Sequence, residues 1–144
     1  MRLLAATDFA LRALMRLAAE PERCLSTELL ARELGLSRNH LHKVMQSLSA
    51  AGLVRTMRGA QGGVTLALPP ERISIGAVVR RMEHGQAIVE CFRDDGGHCS
   101  LTPHCRLKGV LAGAEVAFYR ALESVTLADC VPSIAALVPA GPPG

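Results

Sequence analysis

From Ser26 to Leu68 the chain reads STELLARELGLSRNHLHKVMQSLSAAGLVRTMRGAQGGVTLAL. Ser26 is an N-cap for a short helix with Glu28 in its first turn, Leu29, Leu30 and Leu34 on one face, and Gly35 as its stop. Ser37 caps a second helix, in which Leu41, Val44, Met45 and Leu48 form the inward stripe. Its other residues, Arg38, Asn39, His42, Lys43, Gln46 and Ser49, face outward, and Gly52 closes it. Leu53–Met57 then predicts a strand, Arg58–Gly63 (RGAQGG) a glycine-rich turn, and Val64–Leu68 a returning strand ended by Pro69 and Pro70. Two helices joined by a tight turn and followed by a hairpin make a winged helix-turn-helix. Such a unit lays Arg38, Asn39, His42 and Lys43 in a major groove and carries Arg58 and Gln61 on the wing, against a minor groove or phosphates.

Upstream, Phe9, Ala10, Ala13, Leu14, Leu17 and Ala18 recur at helical spacing between Leu3 and Ala19, with Thr7 or Asp8 near the start and Pro21 beyond the end. Downstream, Ser74 opens a helix that runs to Arg81 or Met82. Thr102 then reads as an N-cap, with Pro103 at the first position of a helix that continues to about Ser124, roughly 33 Å in length. Its apolar positions Leu107, Leu111, Ala114, Phe118, Ala121 and Val125, widened by Val110, Ala117 and Leu122, are too many for one neighbour to cover. Gly109, Gly113 and Ala117 repeat every four residues, and each helical glycine costs about 1 kcal/mol against alanine. Close approach of the same helix from a second chain offsets that cost, so a homodimer is expected. Thr126 starts a last short helix, and Pro139–Gly144 reads as frayed. The expected fold is mainly α with a small two-stranded β wing. Residues 1–81 form the winged-helix region, and residues 82–144 a cysteine loop and a long dimerisation helix.

The 144 residues are one domain's worth, and 49% hydrophobic against 20% charged residues excludes disorder. No run of about 18 apolar residues is present to span a bilayer, and Asp8 and Arg12 interrupt the N-terminal apolar stretch, so a cytoplasmic protein is expected. Aromatics at 3% with no Trp disfavour base-stacking or carbohydrate sites. Residues 1–81 carry 12 basic against 6 acidic side chains, whereas residues 82–144 carry 4 against 7. A basic front half on an acidic back half points to a polyanion, here double-stranded DNA, as partner of the front half. Paired acid-base residues and a substrate motif are lacking, and Gly62 and Gly63 lack the strand-to-helix setting of a phosphate loop, so an enzyme is not expected.

Five cysteines are an odd number for a disulfide framework. Cys91, Cys99 and Cys105 are spaced C-x7-C-x5-C without a CxxC pair, which disfavours an ordinary structural zinc site. Three thiolates on one loop can hold an iron-sulfur cluster, but a four-iron cluster needs a fourth ligand. His98, His104, Asp94, Asp95, Cys24, Cys130 or a group of a partner chain are the candidates. The alternative is a winged-helix regulator without a cluster, whose thiols form a disulfide on oxidation or bind zinc. Cys24 and Cys130 fit small hydrophobic positions at helix edges, His40 and His42 a helix-surface pair, and His98 and His104 solvated loop positions. Asp8 and Arg12, four apart, fit an exposed ion pair.

Taken together, TDFALRAL at Thr7–Leu14, SRNHL at Ser37–Leu41 with Lys43, Arg58-Gly59 followed by Gly62-Gly63, and three cysteines ending in Cys105-Arg106-Leu107 resemble the NsrR family of nitric oxide-sensing repressors. The similarity runs to about Val131. It implies a homodimeric winged-helix repressor with one four-iron, four-sulfur (4Fe-4S) cluster per subunit, which nitric oxide attacks to release operator DNA. It also implies Cys91, Cys99 and Cys105 as cluster ligands, with Asp8 contributed by the other subunit. Related regulators of iron-sulfur assembly use a histidine three residues after the last cysteine; Lys108 stands there, which argues against that branch. The gap between Cys91 and Cys99 is longer than is common in the family.

Overall fold

The computed structural model describes residues 2–131, so the expectation for Pro139–Gly144 lies outside the described residues. The elements in order are α1 (Ala5–Ala19), α2 (Thr27–Leu34), α3 (Arg38–Ala50), β1 (Val54–Met57), β2 (Gly63–Leu66), α4 (Ile75–Met82), α5 (Arg106–Glu123) and α6 (Leu127–Cys130). The core lies where α1 meets α3 and α4. Ala10, Ala13, Leu14 and Leu17 of α1 are buried with Leu41, Val44 and Leu48 of α3 and with Val78 and Val79 of α4. Alanine at two of the buried α1 positions keeps side-chain bulk low where these helices crowd together.

The helix ends follow their sequence signals with three exceptions, at the starts of α1, α3 and α5. Ser26 accepts from Leu29 N at 3.1 Å, and Gly35 adopts the left-handed φ of 64° that ends α2 and turns the chain into α3. Ser37 holds the N-cap of α3 by backbone geometry alone, without a side-chain bond. At the start of α1 neither Thr7 nor Asp8 is a cap. Instead Glu83, just past α4, accepts from Leu4 N at 2.8 Å and from the buried Thr7 hydroxyl. The N-cap amide of the first helix is thus served by a residue distant in sequence.

The hairpin pairs Val54 with Leu66 and Met57 with Gly63, antiparallel, so the turn between them is the wing tip. A feature the sequence pattern did not announce fixes the wing to the helices: Leu25 N donates to Val64 O at 3.0 Å and Val64 N to Leu25 O at 2.7 Å. At the far side, Ile75 N to Val125 O at 2.9 Å and Leu127 N to Ile73 O at 2.8 Å tie α4 to the chain after α5. Gly76 makes that contact close, since a Cβ there would meet Glu123 N at 2.6 Å. Thr126 and Asp129 form a reciprocal capping box on α6.

The long helix begins later than its sequence suggests. Thr102–His104 is a separate 3-10 turn, Cys105 is extended (φ −82°, ψ 107°), and α5 starts only at Arg106. Pro103 sits in the first turn of the 3-10 piece, and the extended Cys105 interrupts the helical hydrogen-bond ladder. The 18 residues of α5 therefore span about 27 Å. None of its residues is fully buried, and Leu107, Val110 and Val116 are exposed.

Among the described residues one charged side chain lies inside. Arg16 of α1 is buried, with Nε 2.6 Å from Glu33 Oε2 of α2 and Nη1 2.8 Å from Glu20 Oε2, the latter an ion pair without hydrogen-bond alignment. Burial opposes the charge on Glu20, but the guanidinium groups of Arg16 and Arg23 beside it outweigh burial and hold its pKa below the ordinary 4.5. A lowered folded-state pKa contributes stability above the unfolded value and loses it as pH falls through the folded one. Arg16→Ala is expected to cost about 2 kcal/mol at neutral pH, less than a wholly buried pair because both carboxylates remain partly exposed. Urea unfolding near neutrality and at about pH 3 checks this; the cost should shrink at the lower pH, and an equal cost at both would contradict the assignment.

Candidate DNA-binding face and cysteine loop

Arg38, Asn39, His42 and Lys43 all lie on the exposed side of α3, opposite the buried Leu41, Val44, Met45 and Leu48. Arg58 and Gln61 are exposed on the wing turn between β1 and β2. A groove runs between α3 and the wing, lined by His42, Gln46, Ser49, Thr56 and Arg58, with Thr27 of α2 at its edge. The α3 face and Arg58 of the wing thus border one groove, whose floor includes Met45, Ala50 and Val64. Gln46, one turn beyond His42, was legible as outward-facing; Thr27 and Thr56 reach the groove only through tertiary structure.

Two further contacts on this surface carry no plain sequence signal. Arg38 Nη1 lies 2.8 Å from Glu28 Oε1, joining the first turn of α2 to the first residue of α3. His40 is exposed but stacks on Phe9 of α1, with ring centroids 6.5 Å apart.

The second candidate site is the loop from Glu83 to Cys105. Cys91 sits in a short 3-10 turn (Glu90–Phe92), Cys99 in the following loop and Cys105 immediately before α5; all three are half-buried and free of disulfides. Glu90 and Asp95 hold the loop's own shape. Arg93 forks onto Asp95 at 3.0 and 2.7 Å, Gly97 N donates to Asp95 Oδ1 at 3.0 Å, and His98 N donates to Glu90 Oε1 at 3.2 Å. The Arg93 and Gly97 hydrogen bonds keep the Asp95 carboxyl below the ordinary carboxylate range. At Gly97 a Cβ would meet Glu90 O at 2.2 Å, so the turn closes only with glycine. Cys24 and Cys130 are half-buried outside this loop, and Cys130 Sγ lies 3.7 Å from Thr126 O.

The donors suit a soft, thiolate-bound group. Three free thiols share one braced loop, the last at the positive end of an 18-residue helix with no acid in its first turn. The Thr102 hydroxyl, between Cys99 and Cys105 in sequence, is buried with no partner. Among the described residues no three His, Cys, Asp or Glu side chains of a single chain converge as a metal cage. Asp8 is half-exposed on α1, with Oδ2 2.7 Å from Arg12 Nη2, as the spacing predicts.

The family model for Rrf2, described as iron-dependent transcriptional regulator, matches residues 3–133. The chain is 45% identical over 130 residues to the HTH-type transcriptional regulator NsrR of Halalkalibacterium halodurans, covering 90% of this chain and 89% of the relative. Among solved structures it is similar to T. potens IscR, with a TM-score of 0.74 and 27% identity over 99% of this chain and 94% of that one. It is also similar to CymR, the global cysteine regulator of B. subtilis, with a TM-score of 0.73 and 25% identity over 92% of this chain and 98% of that one. The chain belongs to the Rrf2 family as an NsrR-type transcription regulator of winged-helix fold, and is not an enzyme. Among the described residues no helix is long and apolar enough to cross a membrane.

The Asp8–Arg12 pair is an exposed contact that adds little to folding. Both side chains are nearly half exposed, so Asp8→Ala should change the stability of the metal-free protein by less than about 0.5 kcal/mol. Equilibrium urea denaturation measures it. A loss well above that would give Asp8 a structural role that its contacts do not account for.

Proposed function

We propose that this Rrf2-family chain is a cytoplasmic homodimeric repressor whose affinity for a double-stranded operator is set by a 4Fe-4S cluster, one per subunit, that reacts with nitric oxide. The observation that carries it is the junction of three free, half-buried thiols on one braced loop with a long helix whose Leu107, Val110 and Val116 stay exposed among the described residues. Cys91, Cys99 and Cys105 hold the cluster, and the partner subunit's Asp8 completes the set. When bound, the cluster supplies an iron centre open to nitric oxide. Residues 1–81 meet DNA through Arg38, Asn39, His42 and Lys43 in the major groove and Arg58 and Gln61 from the wing; residues 82–144 carry the cysteine loop and the dimer contact through α5.

The chain's own residues supply the coupling. In the dimer, the loop leading into α5 of one subunit closes on α1 of the other. That helix packs against α3 and, through Arg16, holds α2. When the loop is no longer held, α1 loses a restraint, and the two recognition helices shift relative to half-sites about 34 Å apart. A coupling of about 1–3 kcal/mol changes operator affinity by one to two decades.

Two measurements test the reading. Lys43→Ala should weaken duplex binding and flatten its logarithmic salt dependence by about one counterion. Unchanged affinity and slope for both Lys43→Ala and Arg58→Ala would remove the assigned DNA face. Anaerobically purified protein should be brown and contain iron and sulfide, and nitric oxide should release it from DNA in a gel-shift titration. Alanine at Cys91, Cys99 or Cys105 should abolish that response, and Asp8→Ala should alter the cluster spectrum. Colourless protein with stoichiometric zinc, or release by oxidants alone, would favour the cluster-free thiol regulator.

A further inference from the structure

We propose that Glu28 is a specificity-determining positioning residue, which holds the Arg38 guanidinium at the base-reading edge of α3 and keeps it from the phosphate backbone. The inference rests on the DNA-binding reading of α3 given above. Between Ser26 and Thr65 the chain has two acidic residues, Glu28 and Glu33, against Arg32, Arg38, Lys43, Arg55 and Arg58. Glu33 is committed to the buried Arg16. Of the two, Glu28 is therefore the one that faces this basic surface, and its carboxylate lies 2.8 Å from Arg38.

Both partners are well exposed, 69% for Arg38 and 63% for Glu28, so water screens the pair in the free protein and it adds little to folding. Its effect falls on DNA. An arginine at the first position of a recognition helix can follow any phosphate, gaining affinity without sequence information. Paired with Glu28, Arg38 presents no net charge to the backbone, and a phosphate that approached it would also meet the carboxylate. The carboxylate lies beside one nitrogen of the guanidinium fork as an ion pair, and the remaining donors stay available for acceptors on a base edge, where bidentate geometry rewards a fixed fork. Glu28 gains from its place in the first turn of α2, where a negative charge is favoured, whereas Arg38 at the start of α3 stands where a positive one is not. The carboxylate therefore has cause to stay and to hold the arginine.

The test compares wild type, Glu28→Gln, Arg38→Gln and the double variant. Each binds two duplexes: one selected by the wild-type protein from a random-sequence pool, and one of scrambled sequence. Glu28→Gln is expected to bind the scrambled duplex about three- to tenfold more tightly, with its logarithmic salt slope steeper by about one, while affinity for the selected duplex holds or falls. In the Arg38→Gln background the same change should have no such effect, because the guanidinium it frees is gone. Equal shifts for both duplexes, or an unchanged effect without Arg38, would overturn the proposal. Failure of the wild-type protein to select any duplex would overturn the DNA-binding reading itself, an outcome that these comparisons distinguish from the first. Thermal unfolding of all four proteins should agree, since the pair is exposed.

Discussion

The packing of α1 is the constraint on which the rest of the molecule depends. Ala10, Ala13, Leu14 and Leu17 lie at most 1% exposed, and around them gather α3, which presents the polar face, and α4, which leads into the cysteine loop. Polar ties fasten α1 at both ends. At its start the Glu83 carboxylate receives Leu4 N and the Thr7 hydroxyl; near its end Arg16 reaches Glu33 of α2. A displacement of α1 would therefore be felt at once by both helices of the helix-turn-helix and by the root of the loop. Tightly packed interiors pass on such shifts as rigid motions rather than absorbing them.

Much of this was legible in the sequence because local rules and global packing agree there. Ser26, Gly35, Ser74 and Thr126 sit at the boundaries that their chemistry predicts, and the apolar stripe of α3 is buried as its spacing requires. The Asp8–Arg12 pair formed as spacing alone foretold. What escaped depends on partners far away in sequence. No periodicity announces that Glu83 would cap α1, that Leu25 would bridge to Val64, or that Arg16 would be buried between Glu20 and Glu33. The start of α5 escaped for a different reason: Thr102-Pro103 satisfies the rules for opening a helix, and it does open one, but a 3-10 turn that Cys105 ends at once.

The candidate site divides along the same line. The residue types and their helical face could be read for Arg38, Asn39, His42 and Lys43, because exposure follows from the buried stripe on the opposite side. The role of Glu28 could not, since its relation to Arg38 arises from the angle between two helices. The cysteine loop was legible as chemistry but not as shape: spacing gives three thiols, while the bracing by Arg93, Asp95, Glu90 and Gly97 exists only once the loop is folded.

Helix α5 carries the physical case for a second chain. Two glycines in a helix interior cost about 2 kcal/mol together relative to alanine, and a neighbour that needed their smallness would offset this. Among the described residues there is no such neighbour: a Cβ at Gly109 or Gly113 would meet nothing within 4 Å. Gly76 of α4 supplies the contrast, since there the backbone of Glu123 occupies the space a side chain would need. The packing of α5 on α4 thus explains Gly76 and leaves Gly109 and Gly113 unexplained, along with the exposed Leu107 and Val110. The proposed dimer, with a copy of α5 laid across these positions, would give all four residues one cause, and would bring the thiols just before the helix within reach of a carboxylate of the other chain.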